Sequence, residues 1–488
     1  MKRLRMHLSE IVILLTLLVC YGYFFPRWAD WNPNSRMDLT LALVEQGTFA
    51  IDDYYENTGD YAVYGGHVYT DKAPGTSFLG MPAYAVFRSL AHIPIVDRLM
   101  TRLSATAAFQ ATLREGGTGL LKEKVYFAAA LYLTTFFTVS LPSALLGVLL
   151  YRFLGRLGLS ARLRGGLVLA YGLGTIAFLY STVFYGHQIA AVLLFTTFYL
   201  LYKLRHGELG THVLWGVGAL VGLTVLTEFP ALVATGCLVL YAAWFLPRKR
   251  DLLRLLLGGL PFALLLGYYN NTCFGSPLAS SYRYLGRFPE ISNTGFLGFS
   301  APRWEAFWGI TFSPYRGLFP LSPFLLLAVP GLWYFFRDKK WRGEFILLGG
   351  TALAQLFLIS CWYDWRGGYA IGPRNLLLIL PYLTVVVGFC LRAWGRHSWG
   401  QAVFALLAFL SFVLVWGAST AGQDFPPVEV RNPLVDFLWP KFRAGDIARN
   451  LGMAVGLSSW YSLLPPLLII GGSLWTLRSL RKAPHAGV

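Results

Sequence analysis

A carboxylate and a cation stand side by side at Asp71-Lys72, in the segment Thr70-Asp-Lys-Ala-Pro74, and a lone carboxylate sits at Asp38 in Asn32-Pro-Asn-Ser-Arg-Met-Asp38. An ammonium beside a carboxylate at a bilayer surface is suited to holding a phosphate and orienting a hydroxyl, and a carboxylate in a dry setting can draw a proton from that hydroxyl. Each also has a plain structural reading. Ser35-x-x-Asp38 matches a helix capping box with Asp38 at its third position. Asp71-Lys72 reads as the solvated start of a helix whose apolar run extends to about Phe87.

Further polar residues fall at the ends of apolar runs. His187 lies in Tyr185-Gly-His-Gln188, where an interfacial histidine is an equal reading, and Glu228 precedes Pro230, where a charge with no partner is costly. Arg283 and Arg287 follow, then Arg316 in Phe312-Ser-Pro-Tyr-Arg-Gly317. Asp364, Arg366 and Arg374 share the segment Cys361–Asn375. Arginine suits phosphate because its planar fork donates paired hydrogen bonds. The aromatics Trp362, Tyr363, Trp365 and Tyr369 fit an interfacial belt or the wall of a sugar or isoprenoid site. No HExxH, GxSxG, phosphate-loop or dinucleotide-loop motif stands in a convincing context, which disfavours the hydrolases and ATP-driven pumps that use them. The five cysteines are scattered without a CxxC and read as packing residues.

The elements that must position these residues are membrane helices. The chain is 56% hydrophobic and only 13% charged, with mean hydropathy +0.52. Apolar runs at roughly 9–26, 124–152, 165–183, 188–203, 212–228, 229–246, 253–270, 318–336, 344–362, 374–392, 400–417 and 459–477 approach the length that crosses a bilayer as a helix. The expected fold is an all-α integral membrane domain over residues 1–488 with about twelve spans. Lys and Arg gather in every second short loop, from Lys2-Arg3 to Arg478, which puts both termini in the cytoplasm. The same bias explains the net charge of +17, so nucleic acid is not an expected partner. Three larger segments, 27–123 with interfacial helices, 269–319 and 418–460, fall on the outer, periplasmic face. In the first, the spacing Leu39, Leu41–Leu43, Val44 suggests a short helix lying on the membrane and ended by Gly47, and Gly65-Gly66 is a hairpin turn.

This arrangement resembles the C-type glycosyltransferase superfamily (GT-C), in particular bacterial, protein-mannosyltransferase-like members near family 39. The resemblance rests on the large first outer loop with its acidic residue, Asp71-Lys72-Ala-Pro74, Tyr268-Tyr-Asn-Asn with Phe274-Gly-Ser-Pro277, Phe312-Ser-Pro-Tyr-Arg316, and Trp365-Arg-Gly-Gly with Gly372-Pro-Arg374. It implies inverting transfer of a monosaccharide from a polyprenyl-phosphate donor to a glycan, lipid or protein acceptor. Asp38 would be the base. Lys72, Arg374, Arg316 and Arg366 would hold the donor phosphate, and Asp71, Glu228, His187 and Asp364 would position acceptor or sugar. Relatives often carry an acidic pair where this chain has Arg36-Met-Asp38. No cofactor is implied, and a divalent metal is left open.

Three other readings stay in play: a twelve-helix transporter, an O-antigen ligase or polymerase, and a scaffold without activity. A transporter of that size usually has a long central cytoplasmic loop, which is here only Pro247–Leu252. It also places its polar residues at mid-membrane rather than at one boundary.

Overall fold

The computed structural model describes residues 2–27, 30–105 and 121–479. Its main helices are α1 (Lys2–Gly22), α2 (Trp31–Glu45), α3 (Gly75–Ala91), α4 (Pro94–Ser104), α5 (Lys124–Arg156), α6 (Ala161–Gly174), α7 (Gly186–Arg205), α8 (Val213–Thr227), α9 (Ala231–Phe245), α10 (Lys249–Phe274), α11 (Pro323–Arg337), α12 (Lys339–Cys361), α13 (Arg374–Trp394), α14 (Ser398–Thr420) and α15 (Ser459–Ser479). Among the described residues, seven of these (α5, α7, α10, α12, α13, α14 and α15) are long and apolar enough to cross a membrane. Each of the twelve apolar runs falls on helix, but α8, α9 and α11 are shorter apolar helices, as is the His7–Gly22 stretch of α1. The run at 165–183 breaks where α6 ends, before Thr175. α3 and α4 together have the composition of a span but meet at 91°. Leu256, Leu260 and Leu264 of α10 are exposed, the surface a helix turns toward lipid.

Close approach between apolar helices uses small residues. A Cβ at Gly218 of α8 would lie 2.0 Å from the Leu255 carbonyl oxygen, and one at Gly258 of α10 2.2 Å from that of Trp215. Helices in lipid associate through such backbone contact because lipid tails are as apolar as the helix surface and supply no hydrophobic drive.

The segment after α1 folds as a helix that ends before Gly47 and is enclosed by protein. α2 begins at Trp31, with Asp30 at its N-cap and Pro33 in the first turn, where a missing N–H costs nothing. Every residue from Asn32 to Ala42 is buried under other parts of the chain. It packs against α3 and against the hairpin of β1 (Tyr61–Tyr64) and β2 (His67–Thr70). Gly65 and Gly66, both at positive φ, make the two-residue turn. The Ser35 and Thr70 hydroxyls, 2.6 Å apart, tie α2 to the hairpin. Asp71 and Lys72 do not open a helix; they lie in the link from β2 to α3, which starts at Gly75.

The later loops close over this hairpin. The Gly286 N–H donates to the Tyr61 carbonyl at 3.0 Å, and Ser281 Oγ donates to the Asp71 carbonyl at 2.7 Å. From the third loop, Asn450 bridges Phe24 at the end of α1.

Candidate active site

Four helices begin around one cavity of about 480 Å³. Asn32 of α2, Ala73 just before α3, His187 of α7 and Asn375 of α13 all line it. Free N–H groups and the positive end of each helix dipole favour an anion there. The wall also carries Arg36, Lys72 and Arg374, and the carboxylates Asp30, Asp60, Asp71, Glu228, Asp364 and Asp424. Trp31, Phe288, Trp362 and Tyr369 supply apolar wall.

Each cation is held by its own partners. Lys72 Nζ sits 2.8 Å from Asp60 Oδ2 and 2.8 Å from Asp71 Oδ2. Arg36 is buried and spreads its fork: Nε donates to Asn32 Oδ1 at 3.1 Å, Nη1 to the Ala73 carbonyl at 3.1 Å and Thr76 Oγ1 at 3.3 Å, and Nη2 to Glu228 Oε2 at 3.5 Å. Arg374 Nη1 donates to the Tyr185 hydroxyl at 3.2 Å, which donates to Asp30 Oδ2 at 2.7 Å. Arg374 Nε is buried without a protein partner.

Burial raises the carboxyls of Asp30, Asp71 and Asp364 against the cations near them; Asp30 reaches about 6. Lys72 moves up instead: burial disfavours its charge, but Asp60 and Asp71 outweigh that. Glu228 stays below the usual range because His187 and Arg36 overcome the cost of burying it. Asp30 has a measurable consequence. Its folded value, about 6, lies above the ordinary 3.8, so its contribution to stability is complete below 3.8 and lost as pH rises through 6. The thermal midpoint of wild type minus that of Asp30→Asn, measured in detergent, is expected to fall between about pH 4 and 6 and to stay level above. A flat difference across that window would contradict the burial of an ionisable Asp30.

Of the nine residues given a catalytic, phosphate-holding or positioning role from the sequence, six line the cavity: Lys72, Asp71, Arg374, Glu228, His187 and Asp364. Three do not. Asp38 is completely buried two turns inside α2, where Asn57 Nδ2 donates to its Oδ1 at 2.9 Å. The capping-box reading fails as well, because α2 starts at Trp31 rather than near Ser35. Burial pushes the Asp38 carboxyl well above its ordinary range, against the hydrogen bond from Asn57. Arg316 is buried behind the wall, where Nη2 donates to the Gly368 carbonyl at 3.0 Å and props the Gly367-Gly368 turn. Arg366 points away from the cavity, pairing with Glu305 at 3.4 Å.

Sequence reasoning missed Asp30, Asp60 and the role of Arg36. Asp30 and Asp60 carry no motif. Arg36 had a signal, a charged residue inside an apolar helix pattern, which requires a buried partner. Among the described residues no three His, Cys, Asp or Glu are grouped so as to hold a metal ion.

No protein-family model matches the chain, and no curated protein matches it. Among solved structures, ArnT from Cupriavidus metallidurans in the apo state superposes with a TM-score of 0.50 over 96% of this chain and 73% of its own, at 14% identity. The chain has an ArnT-like fold. A second ArnT structure from that organism, bound to undecaprenyl phosphate, aligns over 97% of this chain and 73% of its own with a TM-score of 0.44 and 14% identity.

Proposed function

We propose that this chain is a GT-C-type membrane glycosyltransferase that moves a monosaccharide from a polyprenyl-phosphate donor to a glycan, lipid or protein hydroxyl on the periplasmic face. The observation that carries this reading is the cavity in which four helix starts and three cations meet a set of buried carboxylates. The ArnT-like, GT-C architecture supports it. So does the placement of polar groups at helix ends, where a lipid-borne phosphate would sit; a transporter would gather them at mid-span. The twelve-span, N-in and C-in topology, kinship with family 39 and inversion at the anomeric carbon belong to the same proposal.

The departing lipid phosphate gains a negative charge as the sugar leaves, and preorganised donors stabilise that charge. Arg374, with its free Nε, and Lys72 are the donor-side groups. Lys72 must loosen from Asp60 or Asp71 to reach the phosphate. Asp38, expected from sequence to be the base, is walled off from any acceptor, so a group on the cavity wall takes that proton.

The test is release of polyprenyl phosphate by purified protein in lipid, offered undecaprenyl-phosphate glucose, mannose and arabinose with acceptor extracts. Wild type is expected to turn over at least one donor. Asp38→Asn keeps the buried shape and the Asn57 contact, and is expected to stay within about threefold of wild type, under ~1 kcal/mol of barrier. No release from any donor, with substrate movement into sealed vesicles instead, would replace this reading with a transporter.

A further inference from the structure

We infer that His187 and Glu228 form a proton-accepting dyad in which His187 Nε2 receives the proton of the acceptor hydroxyl. This rests on the transfer reading above and adds the group that reading leaves open. His187 opens α7, and Glu228 lies at the C-terminal end of α8, in extended backbone ahead of Pro230. Both are more than nine-tenths buried, and both line the cavity. His187 Nδ1 lies 3.0 Å from Glu228 Oε2. A carboxylate only accepts, so it selects the tautomer with the proton on Nδ1 and leaves the lone pair on Nε2. As placed, neither ring nitrogen makes an aligned hydrogen bond; a small turn of the ring brings Nδ1–H onto Oε2 and leaves the buried Nε2 without a protein partner.

The surroundings hold this pair in place. Arg36 approaches Glu228 Oε2 from another direction at 3.5 Å and is itself fixed by three further acceptors. Gly186 permits the approach: a Cβ there would lie 2.8 Å from Glu228 Oε2 and 2.7 Å from the Thr227 carbonyl oxygen. The other wall carboxylates are engaged. Asp60 and Asp71 pair with the Lys72 ammonium, Asp30 accepts from Tyr185, Asp424 pairs with Lys441 at 3.2 Å, and Asp364 accepts from the Gly368 backbone. A base oriented by a second group, itself oriented by a third, is the general arrangement for activating a hydroxyl.

The step balances. The acceptor O–H gives its proton to Nε2 while the oxygen's electron pair forms the bond to the anomeric carbon. The anomeric C–O bond to the phosphate breaks, and its pair stays on the phosphate oxygen. The positive charge gained by His187 lies against Glu228, and the negative charge gained by the phosphate lies toward Arg374 and Lys72. The imidazolium then returns its proton to water.

The experiment compares wild type, His187→Gln, Glu228→Gln and His187→Gly, all full-length in lipid, on the donor of the panel above that wild type turns over. Undecaprenyl phosphate binding, read by tryptophan fluorescence, reports whether each variant keeps its fold. His187→Gln is expected to lower kcat by about 10²–10⁴-fold with KM for the donor little changed. The acid limb of the wild-type pH profile should vanish with it; the charged or titratable groups facing the ring are Glu228, Arg36, Arg374 and Tyr185. Added imidazoles should restore turnover to His187→Gly, more strongly as the pKa of the imidazole rises, an effect that a structural histidine does not give. Wild-type turnover with His187→Gln within threefold, or loss confined to KM with no imidazole rescue, overturns the dyad and leaves the transfer reading standing. No turnover by wild type on any donor overturns both.

Discussion

Lys72→Ala is expected to lower turnover about 10²–10³-fold, the usual loss when one preorganised charge-stabilising donor is removed. It is also expected to destabilise the protein by about 3–5 kcal/mol, because breaking a buried ion pair strands its partners. Lys72 is the ammonium between Asp60 and Asp71, each 2.8 Å away, and all three are mostly buried. Without it two carboxylates face each other. Asp71, already raised by burial, then takes up a proton, so the stability loss should shrink as pH falls. Adding Asp71→Asn to Lys72→Ala removes the stranded charge and should recover most of the stability, read as the thermal midpoint in detergent. Polyprenyl-phosphate release should stay low in that double variant. If release recovers together with stability, Lys72 is a structural tie and the donor phosphate is held elsewhere.

Much of the framework is legible in the residue pattern because lipid imposes it. A run of apolar residues that must satisfy its own backbone becomes helix, and the charged residues that interrupt such runs mark helix ends. Glu228, His187 and Arg374 are visible for that reason, since each stands at the boundary of an apolar run. Gly65-Gly66 announces its hairpin through the positive φ that such a turn demands. The failures share a cause too. The apolar spacing of α2 is the same for a helix lying on a membrane and for one enclosed by hairpin and loops; only contacts distant in sequence decide, and they bury Asp38 against Asn57. Arg316 and Arg366 lie in loops, where side-chain direction follows from contacts distant in sequence: the Gly368 carbonyl for one, Glu305 for the other. Arg36 depends on a carboxylate 192 positions away, a pairing no local pattern contains.

Arg36→Ala is the second large loss to expect, about 3–5 kcal/mol, and it tests how the two halves of the site are joined. Arg36 comes from α2, and Glu228 from the turn between α8 and α9. Their 3.5 Å contact, with both side chains buried, couples the segment after α1 to the α8–α9 helix pair. Arg36→Lys should not rescue it. One ammonium cannot reproduce the fork that serves Asn32, Ala73, Thr76 and Glu228 together, so three buried acceptors lose their donor. The pH dependence has a definite sign. Glu228 is held below its ordinary 4.5, so its contribution is complete above 4.5 and is lost as pH falls through its lower folded value. Removing Arg36 takes away part of that hold. The midpoint difference between wild type and Arg36→Ala should therefore be widest near neutral pH and narrow in acid. Glu228→Gln on the Arg36→Ala background should cost less than the two single losses added, because the stranded carboxylate is gone. Strict additivity would mean that Arg36 and Glu228 do not act on each other, and the dyad would then lose the group that fixes its carboxylate.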